Sequence, residues 1–163
     1  GSYVEQALGI KMLVWDGECH VHAGIRPDDI TEMRAEHPGA DFLIHPECGC
    51  STQVMEFVAA GDVDSEGVHM LSTGQMLDYA REHAGEHRTA IMATETGMIH
   101  GLRMAAPDIE FIPANDRAAC RYMKMITLPK LRDCLRDMSG EVKVPPEIAE
   151  KARVPIERMV AIG

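Results

Sequence analysis

Aromatic residues are scarce in this 163-residue chain: one Trp, three Tyr and three Phe make up 4% of it, so a core must be built from Leu, Ile, Val, Ala and 12 Met. Long hydrophobic runs are missing too. The longest apolar stretch is a handful of residues, where a membrane-spanning helix needs about 20. Positive charge is in short supply, with 16 Lys and Arg against 26 Asp and Glu and a formal net charge of -10. That balance leaves no general electrostatic footprint for nucleic acid. Cys-x-x-Cys occurs nowhere, which excludes a zinc ribbon, and an odd count of five cysteines argues against a secreted disulfide framework. All five read as reduced thiols of a cytoplasmic enzyme. No signal peptide is read at the start, and Gly1-Ser2 reads as a cloning scar.

What is present alternates short apolar runs with segments of helical spacing. "KMLVW" (11–15) reads as a buried strand feeding a glycine-flanked loop, "GECHVHAG" (17–24). "RPDDITEMRAEHPG" reads as a helix, with Pro27 near its start, Asp28 and Asp29 at its positive end and "HPG" as its stop. "DFLIH" (41–45) is a predicted strand, followed by the loop "HPECGC" and a helix in "STQVMEFVAAG". "GVHML" (67–71), "RTAIMAT" (88–94) and "IEFIP" (109–113) are further strands, alternating with helices in "QMLDYAREHAG" and "ETGMIHGLRMAAP". The tail, "LPKLRDCLRDM" and "PPEIAEKARVPIERMVAI", is helical around a short "EVKV". These repeated strand–loop–helix units predict an α/β fold, a three-layer α/β/α unit with a short parallel sheet plus C-terminal helices.

In open α/β sheets, ligands bind beyond the carboxyl ends of the strands. Polar residues gather at five such exits: Cys19 and His22, His45 and Glu47, Ser72 and Thr73, Thr94 and Glu95, and Asn115. Cys19 sits in a turn with little to pack against, which favours a ligand or nucleophile over a structural thiol. His20 and His22 share a face if their segment is extended, and His20 reads as a surface histidine. Pro46 stiffens the turn between His45 and Glu47, presenting an imidazole and a carboxylate for acid–base work or for a metal. The plainer alternative has Glu47 capping the next helix. "STG" (72–74) offers hydroxyls and amides to a phosphate or carboxylate, although Ser and Thr cap most helices. Met123 and Met125 read as gap-filling core, and Cys134, inside a regular helix, as structural.

Together, "VWDGECHVH", "HPECGC", "LSTGQML", "ATETGMIHGL" and "NDRAACRYMKMIT" resemble the quinolinate synthase family, iron–sulfur enzymes of bacterial NAD biosynthesis. The wording of "HPECGC" and "CRYMKMIT" resembles the actinobacterial branch. The resemblance runs from about residue 10 to the end and implies the C-terminal part of a fold with three similar α/β/α domains. It divides the chain into the end of a middle domain (3–22), an α/β/α domain (23–115), and a cluster-cysteine loop with a helical tail (116–163). It implies a [4Fe–4S] cluster whose open iron acts as a Lewis acid, with Cys19 and Cys120 as two of three cysteine ligands. By the same resemblance His22, His45 and Glu47 are catalytic, these three with Ser72 and Thr73 bind substrate, and Met123 lines the cluster pocket.

The implied reaction condenses iminoaspartate with dihydroxyacetone phosphate to quinolinate, with a functional link to L-aspartate oxidase and no nucleic-acid or membrane partner. Because the family's chain is longer, the resemblance also implies that this chain is inactive alone and self-associates through an apolar face. Two rivals stay open: a zinc hydrolase using Cys19, His22 and His45, and a non-catalytic fragment or subunit.

Overall fold

A computed structural model describes residues 5, 8–48, 51 and 66–162. The chain divides into two compact units, Gly1–Arg121 and Tyr122–Gly163. The first is built on four parallel strands, β1 (Asp41–Ile44), β2 (Val68–Met70), β3 (Thr89–Ala93) and β4 (Glu110–Pro113), in the order β2-β1-β3-β4. Phe42 lies opposite Val68 on one side and Ile91 on the other, and Ala90 lies opposite Phe111. The inner strands β1 and β3 are buried on both faces, which is why "DFLI" and "TAIMA" are nearly unbroken apolar runs.

Alternation along the strands sends side chains into two separate cores. Phe42, Ile44, Ile91 and Ala93 pack on one face with Val21 and Ile25, and with Ile30 of α2 (Pro27–Glu36). Leu43, Ala90, Met92 and Phe111 pack on the other, against Met76, Tyr79 and Ala80 of α3 (Thr73–Glu82) and Leu102 of α4 (Met98–Ala105). Leu43, Ile44, Ile91 and Leu102 are fully buried, each contributing about 1.5–3 kcal/mol relative to exposure. The result is the predicted α/β arrangement, a short parallel sheet with helices on both faces.

Local chemistry sets the helix ends. Pro27 opens α2, and the Arg26 N–H donates to Asp29 Oδ2 at 2.7 Å, satisfying the preceding amide. Ser72 caps α3 reciprocally: its hydroxyl accepts from Gln75 N at 3.4 Å, while its own N–H donates to Gln75 Oε1 at 2.8 Å. The turn after α3 passes through Gly85 at φ +89, a conformation that favours glycine.

In the second unit, a 3-10 turn (Met123–Met125) precedes α5 (Leu128–Asp137) and α6 (Pro146–Val160). Thr127 caps α5 by accepting from Lys130 N at 3.4 Å. The described residues of this unit include no buried side chain. No helix is long and apolar enough to cross a membrane among the described residues.

Four expectations need correction. Residues 11–15 form no strand, and Leu13 and Trp15 are 101% and 88% exposed. An apolar run becomes a strand only where a neighbour offers an unpaired edge, and this one pairs with neither β2 nor β4. Met123 and Met125 are 58% exposed rather than core. Cys48 is buried and disulfide-bonded rather than a reduced thiol. The stretch read as a loop around His20 and His22 is instead one helical turn, α1 (His20–Ala23), described below. The helix predicted in "STQVMEFVAAG" lies outside the described residues apart from Ser51, as does Cys50.

Candidate functional site

The short helix α1 follows Cys19, whose carbonyl accepts from Ala23 N at 2.9 Å to close the turn. Residues two apart on a helix do not share a face. His20 is therefore exposed, whereas Val21 enters the core and His22 goes in beside it at 9% exposure. Beneath His22 lies the carboxyl end of β3: His22 Nε2 pairs with Thr94 Oγ1 at 3.1 Å, and Thr94 is buried.

The exit of β1 supplies two more groups. His45 N donates to Ala93 O at 3.2 Å and Cys48 N donates to His45 O at 2.8 Å, which fixes the "HPEC" turn to the sheet. Within it, the Glu47 N–H donates to His45 Nδ1 at 3.2 Å, so neutral His45 carries its proton on Nε2. The His45 and His22 rings stack with centroids 4.5 Å apart and an interplanar angle of 7°. Glu47, largely exposed, brings Oε2 to 3.6 Å from His22 Nδ1.

That distance is too long for a hydrogen bond. His22 Nδ1 is consequently the one buried side-chain polar atom without a hydrogen-bond partner among the described residues. Such an atom costs stability unless something else satisfies it. The nearby carboxylate favours the tautomer with the proton on Nδ1, leaving Nε2 to accept from the Thr94 hydroxyl. Burial first, and then the neighbouring His45 imidazole, hold His22 below the usual histidine pKa against the opposing pull of Glu47. His22 is thus neutral at pH 7.

One ligand atom each from His22, His45 and Glu47 lie within 4.8 Å of one another, close enough to hold a metal ion. The geometry is poor for one, however. A metal sits in the plane of each imidazole that ligates it, and two parallel stacked rings share no such point. Cys19, expected alongside the histidines in the zinc alternative, is not part of this group.

The thiols lie apart in character. Cys19 is free and exposed, and Cys120 is free and half-buried. Cys120 is tied back to the sheet by Glu95, a carboxylate only 9% exposed whose Oε1 accepts from Cys120 N at 3.1 Å and whose Oε2 accepts from Gly97 N at 2.7 Å. A second link, Thr96 N to Ala118 O at 2.9 Å, holds the same loop. Ser72 and Thr73 are exposed at the exit of β2, with the Ser72 hydroxyl committed to its helix cap. Met123 and Cys134 belong to the second unit, both exposed, with Cys134 a free thiol.

The sequence placed Thr94 and Glu95 at a strand exit without giving either a role. Thr94 orients an imidazole and Glu95 anchors a cysteine. Both partners are distant in sequence, so strand-exit position was the only available signal.

A model of the family described as "NadA: Quinolinate synthetase A protein" matches residues 1–161. Over 164 aligned residues the chain is 46% identical to the quinolinate synthase of Mycobacterium tuberculosis, covering 100% of this chain and 46% of that protein. The quinolinate synthase of a Mycobacterium species (strain KMS) is 46% identical, with 48% of its length covered, and that of Mycobacterium leprae is 45% identical, with 46% covered. The chain therefore spans a little under half the length of these curated relatives.

Proposed function

Because the chain belongs to the quinolinate synthetase A family, we propose that its first unit carries part of the catalytic site of a quinolinate synthase. The reaction in this reading condenses iminoaspartate with dihydroxyacetone phosphate to quinolinate for NAD biosynthesis, with a functional link to L-aspartate oxidase. The observation that carries the reading is the buried, unpartnered Nδ1 of His22, facing Glu47 and stacked on His45 at the carboxyl end of a parallel sheet.

A substrate carboxylate or hydroxyl satisfies the N–H of His22 that the protein leaves without a partner. Being neutral and buried, His22 donates that hydrogen bond without the desolvation cost of an imidazolium. His45, with Nε2–H directed away from its backbone contact, presents a second donor. Glu47 is exposed and reaches the same point, so it serves as the mobile base that accepts a proton from the condensing substrate. The stacked His45 imidazole disfavours a charge on His22. Thr73, exposed at the start of α3, and Ser72 present hydroxyls to a phosphate or carboxylate beside the exit of β2.

Cys19 and Cys120 suit part of the ligand set of a [4Fe–4S] cluster: both are free thiols, and thiolates are the soft donors such clusters take. Glu95 positions the second of them. When bound, the cluster supplies a Lewis-acidic iron for substrate oxygens. A third thiolate comes from elsewhere in this reading, because Cys48 is disulfide-bonded. Catalysis thus belongs to an assembly containing the remaining part of the family's chain, and Met123 lines its cluster pocket. Exposed Leu13 and Trp15 support the expected self-association in its absence.

Quinolinate formation from the two substrates tests the reading, with this chain reconstituted anaerobically and supplied with the remaining part of a mycobacterial relative. The expected result is quinolinate, reduced about 100-fold or more by Glu47→Gln. No quinolinate, under conditions where the relative's own two parts are active together, contradicts it.

A further inference from the structure

Beside α1, a cleft of about 350 Å³ opens between the α1–α2 turn and the loop after β4, with His22 not among its lining residues. We propose that it binds a small oxoanion, a phosphate or a carboxylate, between the guanidinium groups of Arg26 and Arg117. Nothing in the quinolinate reading uses this cleft, and the proposal stands on the cleft's own chemistry.

Two arginines from distant parts of the chain are locked together by one short clasp. The Arg26 N–H donates to Asp29 Oδ2 at 2.7 Å, and the same oxygen accepts from Asn115 Nδ2 at 3.0 Å. Asn115 Oδ1 in turn accepts from Arg117 N at 2.8 Å, while its Nδ2 also lies 3.4 Å from Gly24 O. Both faces of one side-chain amide are therefore spent on fixing the two arginine backbones relative to each other. The Ala118 N–H to Asn115 O bond at 3.0 Å and the Thr96 N–H to Ala118 O bond at 2.9 Å hold the second loop against β3. Such a framework has already met the ordering cost that a flexible pair would meet on binding.

The charges left over face the cleft. Asp29 is the only carboxylate among the lining residues, and its Oδ2 already accepts two N–H groups. Neither Arg26 nor Arg117 takes part in an ion pair among the described residues. His20 lines the same cleft. In a chain of net charge -10, a concave site with two guanidiniums against one engaged carboxylate is conspicuously positive. Planar guanidinium forks match phosphate and carboxylate oxygens in a way that a point charge does not. The volume lies within the roughly 300–1,000 Å³ of small-molecule sites.

Isothermal titration calorimetry of the 163-residue chain in a low-salt buffer free of both anions tests this. Inorganic phosphate is titrated in one arm and malonate in the other. One saturable event is expected in at least one arm, with Kd on the order of 1 mM or tighter. Arg26→Ala and Arg117→Ala should each weaken it about 10-fold, and Arg→Lys at either position several-fold. Asn115→Ala keeps both charges and should still lose affinity, because it opens the clasp. Tighter phosphate assigns a phosphate-bearing ligand and tighter malonate a carboxylate, and either upholds the site. Absence of saturation by about 10 mM in both arms, or equal affinity in a folded Arg26→Ala/Arg117→Ala double variant, overturns it. Far-UV circular dichroism establishes folding, which both exposed positions should tolerate.

Discussion

Both ends of the β-sheet bring histidine and glutamate together and treat them in opposite ways. At the amino end, Asp41, Tyr79, Arg88, Glu86 and His83 close on one another. The Tyr79 hydroxyl donates to Asp41 Oδ2, Arg88 Nη1 lies 2.6 Å from that oxygen, Arg88 Nη2 lies 2.5 Å from Glu86 Oε2, and Glu86 sits 3.2 Å from His83 Nδ1. Burial, followed by the Asp41 hydrogen bond, pushes the Tyr79 phenol up to about 12, and the bond that Arg88 donates to the Tyr79 oxygen raises Arg88 in turn. At the carboxyl end, histidine and glutamate leave a buried ring nitrogen without a partner. A polar cluster that satisfies itself holds a fold together, whereas one that stops short is built for something that arrives. A cavity of about 470 Å³ opens at the amino end, beside Arg34 and Asp41, so available volume alone does not identify the site.

Substitutions at the two ends should separate along this line. The largest effect is expected on turnover: in the catalytic assembly, His45→Ala should lower kcat about 100-fold or more. Urea unfolding of the same variant should stay within about 1 kcal/mol of the unsubstituted chain, since His45 is only half-buried. Asp41→Ala should do the reverse. It takes the acceptor from the Tyr79 hydroxyl and one of two carboxylate partners from Arg88, costing about 2–3 kcal/mol in the same experiment, while ligand binding at the carboxyl end is retained.

Two pH effects are smaller. Tyr79 has a raised folded pKa, so the stability it confers is complete below 10 and falls as pH rises from 10 towards about 12. Tyr79→Phe should remove that alkaline slope from a series of denaturant melts. His22 has a lowered folded pKa, so its contribution is complete above the ordinary value of 6.5 and is lost as pH falls below it. His22→Gln should flatten that part of the acid limb by a slight margin.

Much of the fold could be read from the sequence because β1 and β3 are apolar on both faces and their helices carry local stop and start signals. Pro27, Asp29 and Gly85 act where their chemistry predicts. The failures share a cause. "KMLVW" carries the same apolar signal as β1, but pairing depends on a neighbouring edge that lies elsewhere in the chain. His20 and His22 would share a face only on an extended segment, and a single turn of helix parts them. His45 and Glu47 stood out through a local Pro-stiffened turn. The Thr94–His22 pair spans 72 residues, and neither it nor the Asp29–Asn115 clasp has any local signature.

The most direct test of the contrast is the ring ¹⁵N spectrum of the histidines during a titration with quinolinate. If the carboxyl end is the ligand site, the Nδ1 resonance of His22 and the Nε2 resonance of His45 move together and saturate, while His69 and His83 at the amino end hold still. Saturable shifts at His69 and His83 with His22 and His45 unchanged would contradict the assignment of function to the carboxyl end.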